Sequence, residues 1–228
     1  PNASDSAAIA ERLNIVSFDK LEIEELKSVQ DGFPLTSDTE DLRDFVQVIE
    51  TPKSKVSKQA VARVMLGLSQ LPRTYRHQLE TAGYKVVVAP TVLDAMPQLA
   101  GAAPRGYADG ANWHNSNGAF DRQRKTIVVG ECCNALSMGG KEVEGELDET
   151  VQHEFGHAYD MFLGTNKVGA DKTDPFPDIS HSKRFGEAYD RDARVVPADL
   201  RQKLAYYLAP GNAGKEELFA QMFVLIFG

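Results

Sequence analysis

The stretch VQHEFGHAYD, residues 151–160, places two histidines four residues apart, with a glutamate directly after the first. On a helix, positions i and i+4 share one face, so His153 and His157 can offer two imidazole nitrogens to one metal ion. Zinc accepts such nitrogens at about 2.0–2.1 Å and lowers the pKa of a bound water to about 7. Glu154 is then placed to accept the proton of that water, as in other H-E-x-x-H hydrolases. The pattern therefore predicts a hydrolase with one Zn²⁺ per chain.

A catalytic zinc needs a third protein ligand, and the residues after the motif offer several candidates. The pattern H-E-x-x-H-x-x-G-x-x-H is excluded, because Asp160 and Leu163 stand where its glycine and third histidine would be. Context favours Glu217, since a carboxylate on an apolar helix needs a cation to face. The alternative is that Glu216 and Glu217 only favour the helix dipole. The remaining candidates are Asp171, Asp174, Asp178, His181 and Glu187.

Hydrophobic spacing predicts the elements that must position these residues. The motif lies on a helix from about residue 146 to Gly164, whose core face is Leu147, Val151, Phe155, Ala158 and Phe162. Further helices are predicted at 56–70, 73–83, 183–192, 197–208 and 215–227. The last of these is expected to bury Leu218, Phe219, Met222, Phe223 and Ile226. Strands are predicted at 84–89 and 125–130, and the second is a candidate sheet edge for pairing with an extended peptide.

Charge and composition divide the chain and limit its partners. Residues 1–50 hold an excess of acidic residues that accounts for the whole net charge of −8. We therefore predict an acidic N-terminal segment or subdomain over residues 1–55 and a catalytic domain over residues 56–228. No basic stripe with aromatic residues appears, which argues against a nucleic-acid partner. No apolar run approaches the roughly 20 residues of a membrane-spanning helix, so no membrane partner is expected.

Two short motifs resemble those of a known family. HEFGHAYD is similar to the zinc helix of the anthrax lethal factor-like metallopeptidases, which include Pro-Pro endopeptidases and bacterial zinc-protease effectors. That family pairs HEFGHA-x-D with a downstream E-x-F-A-E-x-F helix, and this chain has ELFAQMF over residues 217–223. Gln221 departs from the second glutamate of that motif. The resemblance covers roughly residues 70–228 and implies an α+β, zincin-like fold with an active-site helix and a small mixed sheet.

The resemblance also implies roles for individual residues. His153, His157 and Glu217 would bind the zinc, a gluzincin-type ligand set, and Glu154 would be the general base. The family places a tyrosine before the third ligand, which implies Tyr207 as the group that stabilises the oxyanion, with Tyr206 and His181 as alternatives. The substrate would be a protein or peptide. A secreted bacterial toxin or effector translocated into a host cell would fit the family.

Three further alternatives follow from the sequence. Asp160 is expected either to hold a ligand histidine by its second ring nitrogen or to solvate the helix. His114, beside the only tryptophan, Trp113, is expected in a solvated loop rather than in a substrate cleft. The alternative function is a non-catalytic zinc-binding interaction module or degenerate peptidase, although such a module would not need the general base Glu154.

Overall fold

The described part of the chain has an α+β fold built on a mixed sheet. The computed structural model describes residues 14–16, 42–52, 54–103, 112–135, 141–144, 146–166 and 178–227. Within these ranges the chain forms a five-stranded sheet, a separate two-stranded ribbon and a set of helices. None of the described helices has the length and apolar character needed to cross a membrane.

The main sheet has a parallel centre and antiparallel outer strands. Its strands are β1 (Asn14–Val16), β2 (Val46–Glu50), β3 (Lys85–Ala89), β4 (Gly118–Asp121) and β5 (Thr126–Gly130), arranged in the order β1-β2-β3-β5-β4. β2, β3 and β5 run parallel, whereas β1 and β4 are antiparallel to their neighbours. The ribbon pairs β6 (Cys132–Ala135) with β7 (Lys141–Glu144).

The central strands are apolar on both faces because both faces are covered, as is usual for parallel strands. In β3, Val86 and Val88 enter the larger core between the sheet and the long helices. Val87 points to the other face and packs in a smaller core with Trp113 at its border. The sheet is thus a buried platform, and its antiparallel strand β4 is an outer strand among those described.

The helices surround this platform. They are α1 (Lys58–Gln70), α2 (Arg73–Thr81), α3 (Val92–Ala95), α4 (Leu147–Asn166), α5 (Lys183–Val195), α6 (Ala198–Lys203) and α7 (Asn212–Phe227). Short 3₁₀ turns lie at Pro97–Leu99, Trp113–Asn115 and Ile179–His181. Side-chain oxygens of Ser57 and Ser182 accept hydrogen bonds from the first turns of α1 and α5, which defines where those helices begin.

Helix α4 is the central helix of the domain and carries the H-E-x-x-H motif. Gln152 is fully buried and donates to the carbonyl oxygen of Gly67, which ties α4 to α1. On another side α4 packs against α7, where a Cβ at Gly156 would lie 2.6 Å from the Cα of Ala220. Only glycine allows the two backbones to approach so closely. This contact brings the motif and the final helix to the same place.

The sequence predicted most of these elements, and the expected α+β fold class is confirmed. The helices at 58–70, 73–81, 147–166 and 183–195 match their predicted positions, as do β3 and β5. Helix α6 ends at Lys203, earlier than predicted, and continues as turns. The predicted division at residue 55 falls after β2, and Val46 and Val48 of that strand belong to the same core as α4. The packed structure therefore includes part of the segment assigned to residues 1–55.

Two predictions about surfaces were wrong. The strand predicted as the sheet edge, at 125–130, is internal, because β4 pairs along its outer side. The turn between them was not predicted; it places Lys125 at a φ of 50°. On α7, Phe223 is buried as expected, but Met222 and Ile226 are 40% and 61% exposed. That helix is apolar around most of its circumference, so its sequence alone did not indicate which side faces the core.

Candidate metal centre and substrate cleft

Three side chains from two helices converge where α4 and α7 cross. His153 and His157 stand one turn apart on α4, with ring centroids 4.9 Å apart. Glu217, in the first half of α7, places its Oε2 3.2 Å from Nε2 of His153 and 3.4 Å from Nε2 of His157. The three side chains are only 18%, 12% and 10% exposed. We call these three residues the metal cluster.

The donor geometry of the metal cluster fits a zinc ion. Ligand atoms at about 2.0–2.1 Å from a tetrahedral ion lie about 3.3–3.5 Å from one another. The two nitrogen–oxygen distances, 3.2 and 3.4 Å, are close to that value. Burial alone would raise the pKa of Glu217. The hydrogen bonds with His153 and His157 have the larger effect in total, so the pKa lies well below its ordinary value. An ionised carboxylate and two imidazoles are a donor set that zinc prefers.

Gln221, one turn after Glu217, orients two groups of the site through one oxygen. Its Oε1 lies 3.2 Å from Nδ1 of His153 and accepts a hydrogen bond of 3.0 Å from the Tyr207 hydroxyl. When Nδ1 of His153 carries the proton, Nε2 is left free to face Glu217 and a metal ion. The neutral amide that replaces the second glutamate of the related motif therefore still provides the oxygen acceptor.

Glu154 is buried beside the metal cluster. It is 9% exposed, and burial raises its pKa, although His157 and His153 act to lower it. Its carboxylate lies against β4, where a Cβ at Gly118 would come within 2.5 Å of Oε1. The glycine thus leaves the space that the carboxylate occupies. A buried carboxylate with a raised pKa is a stronger base near neutral pH than an exposed one.

A cleft of about 560 Å³ opens over these residues. Its lining includes His153, Glu154, His157 and Glu217. One wall is formed by Gly118–Phe120 of β4, and Tyr206, Tyr207 and Trp113 also line the cleft. Burial and the carboxylates of Glu217 and Glu149 raise the pKa of Tyr207, so its phenol keeps its proton at neutral pH. The cleft is therefore bordered by a sheet strand and lined by the carboxylates of Glu154 and Glu217 and by a hydrogen-bond donor, the Tyr207 hydroxyl.

The other candidates for the third ligand lie elsewhere. Glu187 is 68% exposed and faces Lys183 at 3.8 Å, so it is a solvated residue of α5. Asp171 and Asp174 lie outside the described residues. The remaining three form a second cluster around Arg122, a residue that the sequence did not single out: Asp178, His181 and Glu216. We call these four residues the Arg122 cluster.

Three minor predictions have different outcomes. His114 is exposed, as expected for a loop residue, although the neighbouring Trp113 does line the cleft. His181, an alternative oxyanion donor from the sequence, bonds to Glu216 at 2.7 Å and is absent from the described lining of the cleft. Neither expectation for Asp160 is met, because it is 1% exposed and accepts a hydrogen bond from the backbone of Ser180. It thereby anchors the 3₁₀ turn at 179–181 to α4.

Residues 37–228 match the family described as anthrax toxin lethal factor, N- and C-terminal domain. The chain belongs to this family. The match covers most of the chain and confirms the relationship to zinc metallopeptidases that the two motifs indicated. Together with the donor groups in the structure, family membership implies a metal ion. The match begins at residue 37, before β2, in agreement with the place of that strand in the main sheet.

One solved structure gives a direct comparison of the fold. The chain is similar to the Pro-Pro endopeptidase PPEP-2 from Paenibacillus alvei, with a TM-score of 0.50 and 19% sequence identity. The similarity covers 81% of this chain and 84% of that one. At this identity the likeness establishes a shared fold. No curated protein matches the sequence.

Proposed function

We propose that this protein is a zinc-dependent endopeptidase, with the metal cluster as the zinc ligands and Glu154 as the general base. The observation that carries the proposal is the convergence of three ligand atoms from His153, His157 and Glu217, all within 4.8 Å of one another, beside a buried glutamate in a cleft. Zinc in such a site supplies Lewis acidity, which polarises a carbonyl group and lowers the pKa of water.

In this proposal Glu154 moves the proton. Its carboxylate accepts a proton from the water that attacks the peptide carbonyl, and it then delivers that proton to the leaving amine nitrogen. The carbon–nitrogen bond breaks, and the products are a carboxylic acid and an amine. The burial that raises the pKa of Glu154 supports the first step, because the carboxylate accepts a proton more readily.

Tyr207 is the proposed oxyanion donor. Its hydroxyl lines the cleft and keeps its proton, but in the structure it donates that proton to Oε1 of Gln221. A phenol has one proton to donate, so Tyr207 must leave Gln221 to donate to an oxyanion. Tyr206 also lines the cleft, with its ring centroid 5.3 Å from that of Tyr207. Tyr207 is favoured because its hydrogen bond to Gln221, which also lies 3.2 Å from His153, places its hydroxyl beside the metal cluster.

The proposed substrate is an extended peptide that pairs with β4. This strand lines the cleft and has a single partner, β5, among the described strands. An outer strand presents unpaired backbone groups along its free side, and peptides bind to such strands by adding to the sheet. Gly118 brings that backbone directly against Glu154. A peptide on β4 would therefore pass beside the proposed base.

The cellular setting is a separate proposal that rests on the family. We propose that the protein acts as a secreted or translocated bacterial effector that cleaves a host protein. Fractionation of the producing cells and of exposed host cells, with detection of the protein by antibody, tests it. Retention of all protein inside the producing cells would contradict the proposal without affecting the proposed chemistry.

Peptide cleavage with and without the general base tests the proposed activity. Wild-type protein, Glu154→Gln and the exposed-site control Glu187→Gln are incubated with a peptide library, and zinc content is measured in parallel. Glu154→Gln is expected to keep its zinc and lose about a thousandfold or more of the cleavage rate. Glu187→Gln should match the wild type. Wild-type protein that binds zinc and cleaves nothing would instead support the non-catalytic binding module.

A further inference from the structure

Arg122 holds two buried carboxylates on different elements. It follows β4 directly, and its side chain is 21% exposed. Nη1 donates to both oxygens of Asp178, at 2.7 and 2.6 Å, and Nη2 donates to Oε2 of Glu216 at 2.9 Å. Burial lowers the pKa of Arg122, but the Asp178 and Glu216 carboxylates raise it more, so the guanidinium stays charged.

His181 closes the Arg122 cluster on the far side of Glu216. Its Nε2 lies 2.7 Å from Oε1 of Glu216 and 3.6 Å from Oδ2 of Asp178. The side chains of Asp178 and Glu216 are 0% and 2% exposed, so neither carboxylate is solvated to any extent. A buried carboxylate is stable only when a cation and hydrogen bonds compensate its charge. Both oxygens of Glu216 are therefore held, one by Arg122 and one by His181.

Glu216 is the residue directly before the metal-cluster ligand Glu217. Consecutive helical residues point about 100° apart, so these two carboxylates leave α7 in different directions. Holding Glu216 on one side therefore determines the rotation of this turn of α7 and the direction in which Glu217 points. The first turn is also tightly packed, because a Cβ at Gly214 would overlap the carbonyl oxygen of Ala209 and the hydroxyl of Tyr189.

The Arg122 cluster is also connected to α4. Ser180 lies between Asp178 and His181, and its backbone amide donates to Asp160 of α4 at 2.8 Å. The cluster thus joins three parts of the site: the end of β4, the 3₁₀ turn attached to α4, and the first half of α7. The metal cluster spans the same two helices, α4 and α7, on the side that faces the cleft.

Asp178, His181 and Glu216 also have the residue types of a metal site. Their potential ligand atoms lie within 4.8 Å of one another. The guanidinium of Arg122, however, already donates three hydrogen bonds to the two carboxylates. A second metal ion would have to displace this charge. The cation of the Arg122 cluster is therefore the arginine.

We propose that Arg122 is a positioning residue for the third metal ligand: it holds Glu216 and thereby directs Glu217 toward His153 and His157. The proposal rests on the proposed function, because it takes Glu217 to be a zinc ligand. Arg122 also joins the strand proposed to bind peptide to the helix that supplies this ligand. Its loss is expected to weaken zinc binding, although among the described residues the hydrogen bonds of Arg122 go to Asp178 and Glu216 and not to the metal cluster.

Zinc affinity of two arginine variants from the same turn tests this proposal. Arg122→Met removes the charge, and Arg124→Met is the control, since Arg124 is 62% exposed and its ion pair among the described residues is with Asp121, three positions earlier. Affinity is measured by competition with a chromogenic chelator, and the thermal midpoint of the metal-free protein is measured alongside. We expect Arg122→Met to bind zinc about tenfold or more weakly and Arg124→Met to match the wild type.

Two additional variants separate positioning from folding. Arg122→Lys keeps the charge but cannot reach both carboxylates with a planar fork, so its affinity should lie between those of the wild type and Arg122→Met. Arg122→Met/Glu216→Gln removes one of the two buried carboxylates whose charge the guanidinium compensated, so it should regain thermal stability without regaining full zinc affinity. This pair keeps the test possible if Arg122→Met alone does not fold.

The possible failures are distinguishable. If Arg122→Met loses thermal stability but binds zinc as tightly as the wild type, Arg122 is only structural and the positioning role is overturned. A second zinc in the wild type that His181→Ala removes would overturn the assignment of Arg122 as the cation of its cluster. If the wild type binds no zinc at all, the proposed function itself fails.

Discussion

The metal cluster and the Arg122 cluster share histidine and glutamate and meet at consecutive residues of α7. Each contains histidine and buried carboxylate, and each has ligand atoms within 4.8 Å of one another. In the Arg122 cluster a guanidinium lies against the carboxylates at 2.6–2.9 Å. In the metal cluster Glu217 contacts the two histidines, which are the cationic or potentially cationic side chains against it among the described residues.

This difference shows what identifies a metal site among similar clusters. Carboxylate and histidine at short distance are not sufficient, because an arginine can compensate the same charge. All three residues of the metal cluster line the cleft, whereas of the Arg122 cluster only Arg122 is among the described lining residues. The metal cluster also differs by its tetrahedral spacing and by the neighbouring buried Glu154. Glu217 is buried and stays ionised, and among the described residues its ion pairs are with histidines and not with arginine or lysine, which suits it to bind a cation from solution.

The largest expected effect comes from removing one carboxylate of each cluster in turn. Glu217→Ala should abolish activity and weaken zinc binding by about a thousandfold, because it removes a ligand. Glu216→Gln should weaken binding by about tenfold, through loss of positioning alone. Glu187→Ala, at an exposed site, should have no effect. Chelator competition on the three proteins measures this. Similar losses for Glu216→Gln and Glu217→Ala would remove the distinction between the clusters.

A second change tests the side of the metal cluster that faces the cleft. Tyr207→Phe removes the proposed oxyanion donor and should lower kcat by about a hundredfold while zinc affinity stays the same. The loss should appear in kcat more than in KM, because the hydrogen bond is made in the transition state. Tyr206→Phe is the matched control. A large loss in Tyr206→Phe and none in Tyr207→Phe would reverse the assignment.

The helix crossing offers a way to disturb one cluster more than the other. Gly156→Ala places a Cβ against Ala220 and must push α4 and α7 apart, at a cost of about 1–3 kcal/mol. The metal cluster spans that crossing directly, so zinc affinity should fall about tenfold. Gly186→Ala is the control, since its Cβ would meet only the end of the Lys215 side chain. Unchanged zinc affinity in Gly156→Ala would show that the crossing does not set the ligand geometry.

The smallest effect on zinc affinity is expected at Asp160, which lies between the clusters. Burial raises its pKa from 3.8 to about 6. Asp160 therefore ionises near pH 4 in the unfolded chain and near pH 6 in the folded chain. Its ionisation lowers the free energy of unfolding as the pH rises through that range. Two pKa units correspond to about 3 kcal/mol.

The variant Asp160→Asn isolates this effect. Relative to it, metal-free wild-type protein should lose on the order of 2–3 kcal/mol of stability between pH 4 and pH 7. Urea unfolding of both proteins across this range measures the difference, and zinc affinity at pH 7 should stay within about threefold. Parallel stability curves for the two proteins would show that Asp160 does not titrate as its burial indicates.

Local patterns allowed the sequence to predict the long elements and the motif. The helix around His153 has a continuous apolar face, and the strand VVVA is a continuous apolar run, so both could be predicted without tertiary information. Strand β4 could not, because GAFD is short and its role depends on pairing with β5. The exposed side of α7 was missed for the same reason: it is defined by packing against α4.

The Arg122 cluster shows more clearly what could not be predicted from the sequence. Arg122 and Glu216 are separated by 94 residues, and nothing in the sequence connects them. Sequence context favoured Glu217 over Glu216 as the metal ligand, but it did not indicate that Glu216 pairs with an arginine, which depends on the direction of its side chain. The context of an apolar helix indicated that one glutamate needs a cation, but not that its neighbour needs a different one.

Zinc stoichiometry is the most direct test of the central claim, that the metal cluster binds the ion and the Arg122 cluster does not. Wild-type protein, His153→Ala and His181→Ala are stripped with chelator, reloaded with excess zinc, desalted and measured by atomic emission. We predict one zinc per chain in the wild type, none in His153→Ala and one in His181→Ala. Retention of zinc by His153→Ala, or its loss from His181→Ala alone, would contradict the assignment of the metal cluster as the zinc site.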